Sequence, residues 1–185
     1  TAEYDSRGNV VKVTFLGIDG MPCLNKDGVA CMTVVYDSRG NEVKETYLGV
    51  DGKPCLQENG IAGRTAEYDS RGNRVKRTFI GVDGKPCLHK DGNAGWVGEF
   101  DSRGNRVKYT CFGIDGKPCL IKEGHAGKTS EYDSRGNVVK ETFLGADGKP
   151  TPLPNGLLGF NYEYDTFGNL VQTIPQWQTN NNQTP

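Results

Sequence analysis

A chain of 185 residues with 22 basic and 23 acidic side chains carries a net charge of -1, so no overall field draws it to a phosphate backbone or an anionic lipid surface. Hydrophobic residues make up only 35%, against 26 Gly and 9 Pro; this suits short strands and tight turns and argues against a helix bundle, where each interior Gly costs roughly 1 kcal/mol. No apolar run is long enough to span a bilayer as a helix, so no membrane span and no nucleic-acid partner are expected.

The organising feature is Tyr-Asp-Ser-Arg-Gly-Asn, which begins at Tyr4, Tyr36, Tyr68 and Tyr132, with Phe100 opening a variant copy and Tyr164 opening Tyr-Asp-Thr-Phe-Gly-Asn. Every interval is 32 residues, so residues 1–160 read as five tandem β repeats, 161–175 as a partial sixth, and 176–185 as a polar tail.

Within the first copy, Ala2 and Tyr4 alternate with Thr1, Glu3 and Asp5, the period of a half-buried strand. Asp5-Ser6-Arg7-Gly8 has turn chemistry: the Asp side chain bonds its own backbone, and Gly8 supplies a positive φ. A second strand follows from Val10 to Leu16, rich in β-branched and aromatic residues. Leu16 breaks the alternation, which calls for a bulge or for burial on both faces near the strand end. Asp19-Gly20 and Lys26-Asp27-Gly28 mark two more turns, and Pro22-Cys23-Leu24 between them reads as a short third strand at an edge. Near the end, Thr151-Pro152-Leu153-Pro154 departs from the pattern and only the first hairpin returns, as expected of a terminal repeat that caps the core or complements a neighbouring subunit. Tyr162, Tyr164 and Phe167 are the candidate assembly residues there.

Glu163-Tyr164-Asp165-Thr166-Phe167-Gly168-Asn169-Leu170, with the five earlier copies, resembles the YD motif of RHS and teneurin-type proteins. The resemblance covers about a dozen residues per copy and implies β-hairpins wound into a spiral or shell, commonly in exported proteins. The unit here is longer, because it adds the Asp-Gly-Lys-Pro-Cys-Leu block and the turn after it. Since Thr1 falls directly inside a repeat, the segment is expected to belong to a longer protein, and an extracellular or cell-surface location is the expectation.

Cys23, Cys55, Cys87 and Cys119 share one phase and read as a buried column of small apolar thiols; no zinc spacing accompanies them. Cys31 and Cys111 break the pattern and are the candidates for a disulfide with each other or across subunits. His89 and His125 occupy different phases without a repeated partner, so neither enzyme activity nor a cofactor is expected. Trp96 takes a variable position and is expected to be outward or partly exposed; with Arg71, Arg103, Lys76 and Lys108 it forms the candidate ligand-contact set. The fold expectation is an all-β open, elongated hairpin solenoid, with a five-bladed propeller as the alternative. The function expectation is a non-enzymatic structural or interaction module that contacts a protein partner or self-associates through its ends into a filament, the alternative being a glycan- or peptide-binding module.

Overall fold

The computed structural model describes residues 1–178. Among these every regular element is a strand: β1 (Ala2–Tyr4), β2 (Val10–Thr14), β3 (Cys31–Tyr36), β4 (Glu42–Leu48), β5 (Gly63–Tyr68), β6 (Arg74–Ile80), β7 (Gly95–Phe100), β8 (Arg106–Phe112), β9 (Gly127–Tyr132), β10 (Val138–Leu144), β11 (Leu157–Tyr164) and β12 (Leu170–Trp177). They form one 12-stranded antiparallel sheet in strict sequence order, and β1 does not meet β12. The array is therefore open, and the propeller alternative, which needs separate blades in a closed ring, is not what the chain adopts. No helix among the described residues is long and apolar enough to cross a membrane.

Each repeat contributes one hairpin, and its Asp locks the turn. In the first copy the Asp5 carboxylate accepts hydrogen bonds from the amides of Arg7 and Asn9, both 2.9 Å, and from the Asn9 side chain at 2.9 Å. Gly8, at φ 86°, takes the left-handed position that closes the turn. The same Asp cage recurs at Asp37, Asp69, Asp101, Asp133 and Asp165. Hydrogen bonds from the Asn partner are the first reason that these carboxyls are held below their ordinary pKa.

A bulge begins every second strand. Glu67 pairs with Lys76 but Tyr68 pairs with Arg74, so Val75 is skipped and the side-chain alternation reverses there. At the strand end of the fifth copy both faces are buried, Phe143 and Leu144 of β10 being 4% and 3% exposed, whereas Leu16 of the first copy is 43% exposed. Bulge and double burial thus both occur, at opposite ends of the strand. The expected third strand shrinks to one isolated bridge per repeat, Leu16 to Pro22 in the first and Leu48 to Pro54 in the second, because Pro cannot donate to a ladder.

The sheet has two unlike faces. One, here the ring face, carries the repeat aromatics and the core: Tyr47 packs with Val29 and Ile61, and Met32, Phe79 and Cys87 lean on that cluster. The opposite ladder face carries cross-strand Thr pairs such as Thr33 with Thr46, and ion pairs such as Lys12 with Glu3 at 2.7 Å. Exposed pairs of this kind contribute at most ~1 kcal/mol each.

Three devices join one hairpin to the next. The Tyr36, Tyr68, Tyr132 and Tyr164 hydroxyls donate to the carbonyls of Val10, Glu42, Arg106 and Val138 in the preceding copy, at 2.9 to 3.0 Å. The turn arginines reach forward: Arg7, Arg39 and Arg135 donate to the carbonyls of Ser38, Ser70 and Thr166. Finally, Gly63, Gly95, Gly127 and Gly159 let the strands approach so closely that a Cβ would collide with the carbonyl oxygens of Glu45, Arg77, Tyr109 and Glu141.

Beyond Tyr164 the chain continues as β12, which contains Gln176 and Trp177; both were assigned to a tail by composition. The rest of that expected tail, 179–185, lies outside the described residues.

Candidate functional site

The sequence-selected contact residues do not converge. Lys76 and Lys108 lie on the ladder face, bound to Glu67 at 2.8 Å and Glu99 at 3.1 Å, because the bulge turns them away from Trp96. Arg71 and Arg103 lie at the turns and serve as forward clamps, Arg71 to the Asp101 carbonyl at 2.8 Å and Arg103 to Ser134 and Asp133, both 3.1 Å. Only Trp96 remains where a ligand could meet it, partly exposed on the ring face.

Around Trp96 are three arginines that the repeat pattern did not single out. Arg77 and Arg106 place their guanidiniums 5.9 and 5.5 Å from the Trp96 ring. Arg106 also covers Tyr109 at 5.0 Å, and Arg74 covers Tyr68 at 5.6 Å while donating from Nε to its hydroxyl at 3.1 Å. Such stacking attracts a cation to the ring but leaves its N–H edge free for another acceptor.

The neighbouring junctions hold ion pairs, and among the described residues this one holds none, although the Glu42 charge acts on Arg77 from farther away. In the preceding copy the equivalents of Arg74 and Arg77 are Glu42 and Glu45, and both carboxylates pair with Arg64. In the following copy Lys128 reaches Glu141 at 3.8 Å. Among the described residues no carboxylate oxygen comes within 4.0 Å of Arg74, Arg77 or Arg106. Arg77 Nε is buried without a hydrogen-bond partner, and burial first, then the Arg64 and Arg74 cations, push its pKa down.

An open depression of about 500 Å³ adjoins this cluster, lined by Arg74, Trp96, Phe100, Arg106, Tyr132 and Asn73. Gly98 lies beneath three of these side chains: a Cβ there would lie 3.3 Å from the Trp96 and Phe100 rings and 3.4 Å from the Arg106 side chain. The variant Phe of the fourth copy stands at its rim, so the Arg74 carbonyl lacks the tyrosine tie present at the four other junctions.

The histidines pack. His89 Nδ1 accepts the Asp91 amide at 3.2 Å, and its ring stacks on Phe79 at 5.0 Å. His125 is 1% exposed, stacks on Phe143 at 5.1 Å, touches Glu123 through Nε2 at 3.2 Å, and leaves Nδ1 unpaired. Desolvation lowers its pKa.

The cysteine reading is corrected in two ways. The in-phase thiols Cys23, Cys55, Cys87 and Cys119 are only half-buried, whereas Cys31 and Cys111 are the buried ones. Those two lie on β3 and β8, five strands and so ~24 Å apart, far beyond disulfide reach within one chain, and both thiols are free. Burial pushes the Cys111 thiol up to about 12, which makes it unreactive at neutral pH.

The assembly residues are also mostly engaged. Tyr162 donates to Glu141 at 2.8 Å and Tyr164 to the Val138 carbonyl at 2.9 Å, holding the last hairpin on its own array; Phe167 alone is free, at 89% exposure. The outer edge of β12 also differs from that of its equivalents. Phe15, Tyr47, Phe79 and Cys111 each donate their amide outward to the segment that leads into the next hairpin, at Ala30, Ala62, Ala94 and Ala126. The corresponding residue of β12 is Pro175, which has no amide to donate.

No protein-family model and no curated protein matches the chain. Its fold is similar to part of the Photorhabdus luminescens Tc holotoxin pore with a mutation in TccC3, at 14% identity and a TM-score of 0.46 over 95% of this chain. It is also similar to part of the TcdB2-TccC3-Cdc42 crystal structure, at 15% identity and a TM-score of 0.41 over 94% of this chain. The chain spans 9% of the length of each.

Proposed function

We propose that the chain is a non-enzymatic structural repeat module that presents the loops between its hairpins to a protein partner, within an exported or cell-surface protein. One observation carries the reading: two exposed apolar columns run through four consecutive copies, Ile18, Val50, Val82 and Ile114 beside Leu24, Leu56, Leu88 and Leu120. Scattered exposed apolar residues are ordinary, but aligned rows repeated at fixed phase mark a contact surface. Export is supported by the resemblance of the Tyr-Asp turns to YD repeats.

End-to-end growth into a filament is the less favoured form of this reading, since Pro175 removes one of the outward amides through which earlier hairpins engage the next. The last hairpin closes the array. The glycan- or peptide-binding alternative is favoured by the depression beside Trp96.

The columns are tested by replacing Leu24, Leu56, Leu88 and Leu120 together with Ser. A contact surface predicts an unchanged thermal midpoint with diminished association, by light scattering, with itself or a co-purified partner. Core leucines would instead cost ~2–5 kcal/mol each, and an unfolded variant or unaltered association would defeat the reading.

A further inference from the structure

We infer that the depression between β6, β7 and β8 on the ring face binds a carboxylate-rich peptide segment of a protein partner. The inference rests on the interaction-module reading and supplies the chemistry of the partner.

Three guanidiniums, Arg74, Arg77 and Arg106, gather at one junction without a carboxylate within 4.0 Å among the described residues. Gathering like charges beside apolar rings is unfavourable unless an anion offsets it. Arg77, whose Nε is buried and unpartnered, adds its charge to the junction without lining the depression. The depression of about 500 Å³ is open to solvent and lined by Arg74 and Arg106, so an extended segment can enter it.

The chain itself shows which anion fits. One copy earlier, the positions of Arg74 and Arg77 hold Glu42 and Glu45, whose carboxylates lie on Arg64 against the same sheet face. Side-chain carboxylates are therefore accommodated at this depth and spacing, and the arginine junction presents the complementary charge. Bidentate guanidinium–carboxylate pairing supplies direction as well as strength. A sulfated glycan would also be attracted by charge. However, the Trp96 and Tyr109 rings against which a sugar would stack are already engaged by guanidiniums 5.0 to 5.9 Å away.

The test uses the whole chain and a fluorescent octaglutamate peptide at low salt, with octaglutamine and a heparin-derived hexasaccharide as separate arms, read by anisotropy. Octaglutamate is expected to bind, octaglutamine not, and salt to weaken the complex. Arg74→Gln with Arg106→Gln should weaken binding about tenfold or more, the loss of one charged hydrogen bond being already of that order. Gly98→Ala keeps every charge but displaces the Trp96, Phe100 and Arg106 side chains that line the depression, and Ala66 already occupies the equivalent place, so it should fold and still bind less well. Lys76→Gln, on the opposite face, should change nothing. Octaglutamate that fails to bind, that binds the double-arginine and Gly98→Ala variants as tightly as the parent, or that binds more weakly than the hexasaccharide overturns the inference. The quadruple leucine variant reads a different surface, so the two readings fail separately.

Discussion

The Tyr132 hydroxyl donates a 2.9 Å hydrogen bond to the Arg106 carbonyl, tying the fifth copy to the fourth. The same tie occurs at every junction but the one where Phe100 faces Arg74. Phe100→Tyr is therefore expected to stabilise the array by about 1 kcal/mol, the usual net gain from one hydrogen bond. Urea titration of the two chains measures this, and an equal or lower midpoint in the variant would show that the junction cannot take up the tie.

The six caged aspartates set the acid limit of the fold. Their folded pKa values are depressed, chiefly by the Asn partner, so the stability they contribute is present above the unfolded aspartate value of ~3.9 and is lost as pH falls below it, through the lower folded values. Urea midpoints are expected to hold steady with respect to these groups from pH 7 to about 4 and to drop below that. A drop absent in the parent chain below pH 4 would mean the cages do not favour the charged carboxylate.

His125 acts in a different window and for the opposite reason. It is a base whose folded pKa is lowered by burial, so below the unfolded value of ~6.5 the unfolded chain gains a proton that the folded chain resists. Stability is full above that pH and declines as pH falls from 6.5 toward the folded value. His125→Leu, matching Leu157 at the equivalent place, should flatten this slope and relieve the unpaired Nδ1 by about 1–3 kcal/mol. A slope between pH 7 and 5 identical in both chains would assign the titration elsewhere.

Gly127→Ala should destabilise by roughly 1–3 kcal/mol, because the new methyl meets the backbone oxygen of Tyr109, which can move only by parting β8 from β9. Hydrogen exchange of the amides at that junction is the direct readout, and protection equal to the parent's would show that the close approach is not required.

Pro175→Phe returns the amide and the ring found at Phe143 and Phe15. The variant is expected to self-associate with rising concentration in sedimentation velocity, while the parent does so less. Equal sedimentation would mean that the edge is closed by something other than the missing donor.

Much of the hairpin was legible because its determinants are local. Alternation marks Val34 and Tyr36, the Asp-Ser-Arg-Gly turn carries its own bonds, and the failed alternation at Leu16 signals irregularity in the second strand. What lay beyond reach depends on register between copies. A strict period says that Tyr68 recurs, but not that its hydroxyl meets Glu42, nor that Gly63 lies on the backbone of β4. The bulge at Val75 also separated residues that simple parity would unite: Arg74 and Lys76 point to opposite faces, so the lysine column was paired with Trp96 although it belongs to the other side. The arginine cluster arises where charge-reversing substitutions from different copies become neighbours, a coincidence no single copy records.

The tyrosine ties and arginine clamps each span a single junction, so among the described residues they brace the array over no longer distance. Pulled from its two ends, such a molecule has a built-in fracture line: the seam at Phe100, missing one of its rivets, parts first and releases intact blocks on either side. A partner gripping that seam through its arginines would act as a splint, converting a line of weakness into the place where tension is sensed.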